Sequence, residues 1–253
     1  VFVGFVFSLL LCVCVCVCVA AAGLLRLRPA MAVIVCLLVS VFWFLSSGPV
    51  LAQDITTGLV GWWKLDDGSG TNATDSAASN AGTLTNATWG TGHLSGAVDF
   101  DGSGDYITVA NESNFDFERT DTFSISAWFY RRTNTTDDNI FNKQNTFWYG
   151  YSVWLPPSGV YGDGICTNCV NFTLSPNNGS GERLSVQTPA SSISTNNWIH
   201  MVATYNGNSD PSGVIIYING TSQSLTTLVD ALSASILSNN APFIGIDTNT
   251  GGT

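Results

Sequence analysis

Basic side chains are scarce in this 253-residue chain: eight Lys and Arg stand against 18 Asp and Glu, for a net charge of −10. Two of the eight, Arg26 and Arg28, are the only charged residues up to Gln53, so the remaining 200 residues hold six bases against all 18 acids, a net −12. Such a segment repels phosphate backbones, which argues against nucleic acid and anionic membranes as partners and favours an extracellular setting. Glu is limited to Glu112, Glu118 and Glu182 and no stretch beyond Asp54 keeps a helical period, which disfavours a helical domain. Also missing are a G-x-S-x-G elbow, a P-loop and an H-E-x-x-H pair, and with them the usual marks of serine-hydrolase, nucleotide and zinc-protease chemistry. There are two histidines. His200 falls inside an alternating run and reads as a packed or cross-strand-paired side chain, whereas His93 sits in a Gly-flanked loop with no evident partner.

What is present divides the chain in two. Residues 1–30 are an apolar, low-complexity extension whose Cys-Val alternation from Cys12 to Val19 reads as simple-sequence DNA carried into the gene model, a transmembrane helix being the alternative its length allows. Residues 31–52 read as a signal peptide, with Val33 to Leu45 as the apolar core and Val50-Leu51-Ala52 as a cleavage site; an uncleaved anchor is the other reading. Either way, residues 54–253 are expected outside the cytoplasm, secreted or at the cell surface. Five of seven cysteines precede this part, leaving Cys166 and Cys169. C-T-N-C lacks a second ligand pair for zinc and leads into a strand rather than opening a helix, so a loop-stapling disulfide is expected.

Beyond Asp54, short alternating runs recur between Gly, Asn, Asp and Ser clusters, the pattern of an antiparallel sandwich. Strands are expected at Leu59–Leu65, Ala97–Phe100, Tyr106–Ala110, Phe123–Arg131, Trp148–Leu155, Val170–Leu174, Leu184–Gln187, Trp198–Tyr205, Val214–Asn219, Ser222–Leu228 and Phe243–Ile246. Phe123, Ile125, Ala127 and Phe129 fall on one face, opposite Ser124, Ser126, Trp128 and Tyr130. Asn219-Gly220 fits a type I′ hairpin turn.

Six ordered segments carry a resemblance: G-L-V-G-W-W-K-L-D-D-G-S-G-T, D-S-A-A-S-N-A-G-T-L, G-H-L-S-G-A-V-D-F-D-G-S-G-D-Y-I-T-V, F-S-I-S-A-W-F-Y, N-W-I-H-M-V-A-T-Y-N-G and V-I-I-Y-I-N-G. From Gly58 onward the chain resembles laminin G-like jelly-roll domains of the concanavalin A-like lectin/glucanase superfamily. The resemblance implies an all-β fold, a two-sheet antiparallel β-sandwich of the jelly-roll type, acting most often as a secreted binding module. It also implies a closing strand of the type G-x-I-D-E-V-R-I-Y, which this sequence, ending at Thr253, lacks. Trp62, Trp63, Trp128 and Trp198 sit in strand motifs of the family and are expected in the core.

Glucanases of this fold carry an E-x-D-x-E run on one strand, and retaining chemistry needs its carboxylates about 5 Å apart. No such run occurs here; Asp99 and Asp101 alternate but precede a Gly-rich turn. A non-catalytic role is therefore expected. Many relatives hold a structural calcium near these loops, which makes Asp66, Asp67, Asp75, Asp101 and Asp105 candidate ligands, the alternative being that these acids simply hold tight turns. Asp99 to Ala110 is no EF-hand, since Ala110 occupies the twelfth position and no helices flank it.

Sugar sites combine exposed aromatic faces with Asn and Asp, and the richest stretch is Phe147-Trp-Tyr-Gly-Tyr-Ser-Val-Trp154. Its candidate ligand residues are Trp148, Tyr149, Tyr151 and Trp154. Alternation sets Trp148, Ser152 and Trp154 on a face opposite Tyr149, Tyr151 and Val153. Seven N-x-S/T triplets begin at Asn72, Asn86, Asn111, Asn134, Asn171, Asn178 and Asn219. The expected function is carbohydrate binding, with an extracellular glycan or surface protein as partner. A protein-recognising adhesion module is the alternative, and a glycosidase-related domain the third reading.

Overall fold

The computed structural model describes residues 56–145, 148–157, 166–176 and 182–245; the segments read as extension and signal peptide lie outside them. Among the described residues the strands are, in chain order, β1 (Asn72–Ala73), β2 (Gly82–Thr85), β3 (Thr88–Thr91), β4 (Gly96–Asp99) and β5 (Tyr106–Val109). There follow β6 (Phe123–Tyr130), β7 (Asp138–Asn142), β8 (Gly150–Leu155), β9 (Asn171–Ser175) and β10 (Leu184–Gln187). The last five are β11 (Trp198–Tyr205), β12 (Val214–Ile218), β13 (Thr221–Ser222), β14 (Thr226–Asp230) and β15 (Phe243–Ile244). Single 3-10 turns span Glu112–Phe115 and Pro211–Gly213.

These strands form an all-β sandwich. A nine-stranded sheet, ordered β1-β2-β5-β15-β7-β8-β9-β10-β14, faces a four-stranded sheet, β13-β12-β11-β6, and β3 pairs with β4 as a separate ribbon. Every pairing is antiparallel. The small sheet owes its orientation to alternation. Phe123, Ile199, Met201, Ala203, Tyr205, Val214, Ile216 and Ile218 point into the main apolar cluster, while Ser124, Ser126, Trp128 and Tyr130 face outward. Burying one such side chain contributes about 1.5–3 kcal/mol, so a one-residue slip of β11 is strongly opposed.

The centre of the large sheet is buried on both faces. Val153, Phe172, Leu174, Leu184 and Val186 join the core, and the intervening Ser152, Asn171, Ser175, Ser185 and Gln187 are also buried. Polar side chains on that second face bond one another: Thr173 Oγ1 donates to Asn171 Oδ1 at 2.9 Å and Ser185 Oγ to the same oxygen at 3.3 Å.

Two expectations need correction. Leu59–Leu65 is not a strand: it makes one bridge, Trp63 to Asp75, a backbone bond from Leu59 N to Thr56 O, and several bonds to side chains. Asn80 Nδ2 donates to Val60 O at 2.7 Å and Trp63 Nε1 to Asn80 O at 2.8 Å. Nor are the four tryptophans core residues alike. Trp63 packs against both apolar clusters, but Trp62 and Trp128 are exposed and Trp198 is half-buried, because the period of two that points Phe129 and Ile199 at the core turns Trp128 and Trp198 outward.

Candidate functional site

Trp148 stands out from the fold: it is 48% exposed and its φ is +68°, a left-handed conformation rarely adopted by a bulky residue. It belongs to the connection between β7 and β8, where local hydrogen bonds fix that backbone. Trp148 N donates to Asn145 O at 2.9 Å, Tyr149 N to Asn145 Oδ1 at 3.0 Å, and Asn145 N to Tyr149 O at 3.0 Å. Gln144 Nε2 donates to Trp148 O at 3.2 Å. One asparagine thus bonds on both sides of the tryptophan, offsetting a conformation that costs about 1–3 kcal/mol.

The base of this hairpin is rigid for a second reason. Lys143 is buried, and its ammonium donates to Asp116 Oδ1 at 2.5 Å, Ser238 O at 2.5 Å and Glu112 Oε2 at 3.1 Å. Three donors meet three acceptors, so the buried charge is fully paired. Gly150, at φ +118°, completes the base: a side chain there would strike the Lys143 backbone. Neither Lys143 nor Gly150 is conspicuous in the sequence, where a lone lysine and a lone glycine between aromatics give no motif.

The other candidate ligand residues are divided by the fold. Trp154 lies on β8, half-buried, paired across the ladder with Asn171 and Asn139. Tyr149 is half-buried beside Trp148. Tyr151 does not join them at a surface. It is only 2% exposed, packs against Phe123 and Phe141, and donates its hydroxyl to Phe115 O at 3.0 Å. Burial, reinforced by the Asp116 charge, pushes its phenol well above the ordinary value.

The candidate aspartates hold turns. Asp75 Oδ1 accepts from Trp62 N at 2.8 Å and Ala77 N at 2.9 Å, and Oδ2 from Asn80 N at 3.0 Å. Burial raises its carboxyl, but these backbone donors outweigh it and hold it below the ordinary 3.8. Asp67 accepts from Thr74 Oγ1 at 2.5 Å, the main reason its carboxyl also lies low. Asp105, buried, accepts from Asp101 N at 2.6 Å, and Asp101 from Ser103 N at 2.8 Å. Asp66 is exposed. Among the described residues no three His, Cys, Asp or Glu side chains converge as a metal site. Cys166 and Cys169 are paired through sulfur, with Cα atoms 6.0 Å apart.

Sequence reasoning passed over a second aromatic surface. On the outer face of the four-stranded sheet, Trp128 is 46% exposed and His93, from the β3–β4 connection, stacks on it with ring centroids 4.0 Å apart. His200, opposite Trp128 in the ladder, lies 5.0 Å from the same ring and 3.0 Å from Ser126 Oγ. Tyr130 packs against Trp198 at 5.6 Å. No Asp, Glu, Lys or Arg occurs in β6, β11, β12 or β13, an uncharged surface on an acidic chain. The available signal was alternation, which sets Trp128 opposite Phe129; the His93 partner lies 35 residues away in sequence and left no trace.

No curated protein matches the chain. Among solved structures it is similar to the binding domain of botulinum neurotoxin DC in complex with rat synaptotagmin II, at 15% identity and a TM-score of 0.44 over 78% of this chain and 51% of that one. It is also similar to the binding domain of botulinum neurotoxin DC in complex with SialylT, at 16% identity and a TM-score of 0.41 over 73% of this chain and 45% of that one. The chain thus spans about half the length of these structures. Residues 101–253, more than half of the sequence, match the laminin G type of domain described under the concanavalin A-like lectin/glucanases superfamily. With its antiparallel sandwich in place, the chain belongs to that superfamily as a laminin G-type domain.

Proposed function

We propose that the chain is a non-catalytic carbohydrate-binding module, secreted or surface-displayed, that engages its ligand through the β7–β8 hairpin with Trp148 as the stacking residue. The observation that carries this reading is the exposed indole held at φ +68° by bonds from Gln144 and Asn145. Strain of this kind collects at functional positions, and an indole face stacks on the C–H face of a pyranose ring. Sugar sites pair such a face with polar side chains, and half-buried Asn145 is the amide of this loop that reaches the surface. Two acids that meet the hairpin base, Glu112 and Asp116, both pair with Lys143, which supports binding without hydrolysis.

A glycan array probed with the full chain tests the proposal. Selective capture of a carbohydrate class supports it. A blank array alongside saturable capture of a purified surface protein would move the assignment to adhesion, and steady release of reducing sugar from β-glucans would overturn the non-catalytic reading.

A further inference from the structure

Among the sequons whose structure is described, the side-chain amides sort sharply. Asn171 is buried on β9. Four others spend Nδ2 on a bond: Asn72 on Thr74 Oγ1 at 3.1 Å, Asn86 on Gly104 O at 3.1 Å, Asn111 on Ser79 O at 2.8 Å and Asn134 on Asn168 Oδ1 at 3.0 Å. Asn219 differs. It is exposed and engages only its oxygen, Oδ1 accepting from His200 N at 2.9 Å, so among the described residues its Nδ2 donates to nothing.

The surroundings of Asn219 are equally specific. Asn219 and Gly220, at φ +49° and +78°, form a two-residue turn closed by the Ile218–Thr221 pair. Such a tight primed turn displays its first residue on a fixed backbone. Tyr217, two residues earlier, points to the outer face, and the period of two carries Asn219 to the same side. Asn219 also continues the row of His200 and Trp128, two inter-strand steps of about 4.8 Å each across the uncharged surface.

We infer that Asn219 is an N-glycosylation site, and that its glycan lies over Tyr217 and across the His200–Trp128 surface of the four-stranded sheet. The donor is a lipid-pyrophosphate-linked oligosaccharide. The sugar's anomeric carbon bonds to Asn219 Nδ2, its bond to the pyrophosphate oxygen breaks, the lipid pyrophosphate departs, and the amide loses one proton. Attachment here removes a hydrogen from a nitrogen that donates to nothing among the described residues, whereas at the four bonded sequons it leaves one hydrogen on a nitrogen that is already engaged and crowds its partner. The first sugar then meets the Tyr217 ring, and the following sugars reach a surface where half-exposed aromatics offer faces and no fixed charge intervenes. The inference uses neither Trp148 nor its loop, and it stands or falls apart from the lectin reading.

The test is to produce the full chain behind a secretion signal in a glycosylating eukaryotic host and map the sequons by peptide mass after enzymatic glycan release. Asn219 is expected to be occupied in most molecules and Asn171 in almost none; an unmodified Asn219 peptide would overturn the assignment, whichever other sequons are filled. Hydroxyl-radical footprinting then compares the glycosylated chain with Asn219→Gln and with enzymatically deglycosylated wild type, which controls for folding of the variant. Lower oxidation of Tyr217 and Trp128 in the glycosylated form alone is expected. Equal oxidation in all three would show that the glycan projects into solvent and leaves the sheet uncovered.

Discussion

A Cβ placed on Gly150 would stand 2.1 Å from the carbonyl oxygen of Lys143. That approach closes the hairpin that displays Trp148, and the left-handed φ of +118° compounds it. Gly150→Ala is therefore expected to cost about 1–3 kcal/mol, since backbone rather than a flexible side chain must yield. Urea unfolding measures it; an unchanged midpoint would show that the hairpin base is looser than the close approach implies.

Lys143 is the second support. Removing a partner from a buried ion pair leaves charge without compensation, a loss of about 3–5 kcal/mol. Lys143→Met fills the volume but sets Glu112 and Asp116 side by side without their cation. We expect a loss at the lower end of that range, about 3 kcal/mol, because both acids keep some contact with water. Adding Asp116→Asn should recover part of it, which a double-mutant cycle of unfolding free energies reads directly.

Asp75 makes acid stability a test of the turn that ties down the segment expected as the first strand. Its carboxyl lies below 3.8 in the fold, so its contribution is fully present above that pH and is lost as pH falls through the lowered folded value. Asp75→Asn keeps one acceptor and sets an N–H against a backbone donor, an expected cost of about 1 kcal/mol at neutral pH. The gap between wild type and variant should narrow below pH 3.8, and a gap that stays constant with pH would remove Asp75 from the account.

The parts of the fold legible in sequence are those where alternation was clean. Leu184–Gln187 and Trp198–Tyr205 match β10 and β11 end to end, and Asn219-Gly220 forms the hairpin turn expected of it. Strands β1, β2, β3 and β7 escaped notice because Asn, Thr and Gly dominate them or interrupt their apolar pattern; neighbouring strands impose their extended form. At the hairpin, aromatic density marked Trp148, but its left-handed backbone depends on bonds from Gln144 and Asn145. Tyr151 shows the limit of density as a guide: the same run that exposes Trp148 sends its neighbour three residues on into the core.

Calorimetric titration of the best array glycan into wild type, Trp148→Phe and Trp148→Ala tests the central claim most directly. Aromatic stacking is worth about 0.5–1.5 kcal/mol beyond burial, and loss of the indole removes burial as well. The account predicts at least about a tenfold weaker Kd for Trp148→Ala, partial retention for Trp148→Phe, and unchanged thermal unfolding for both. Equal affinities for all three proteins would contradict it and move the binding site away from the β7–β8 hairpin.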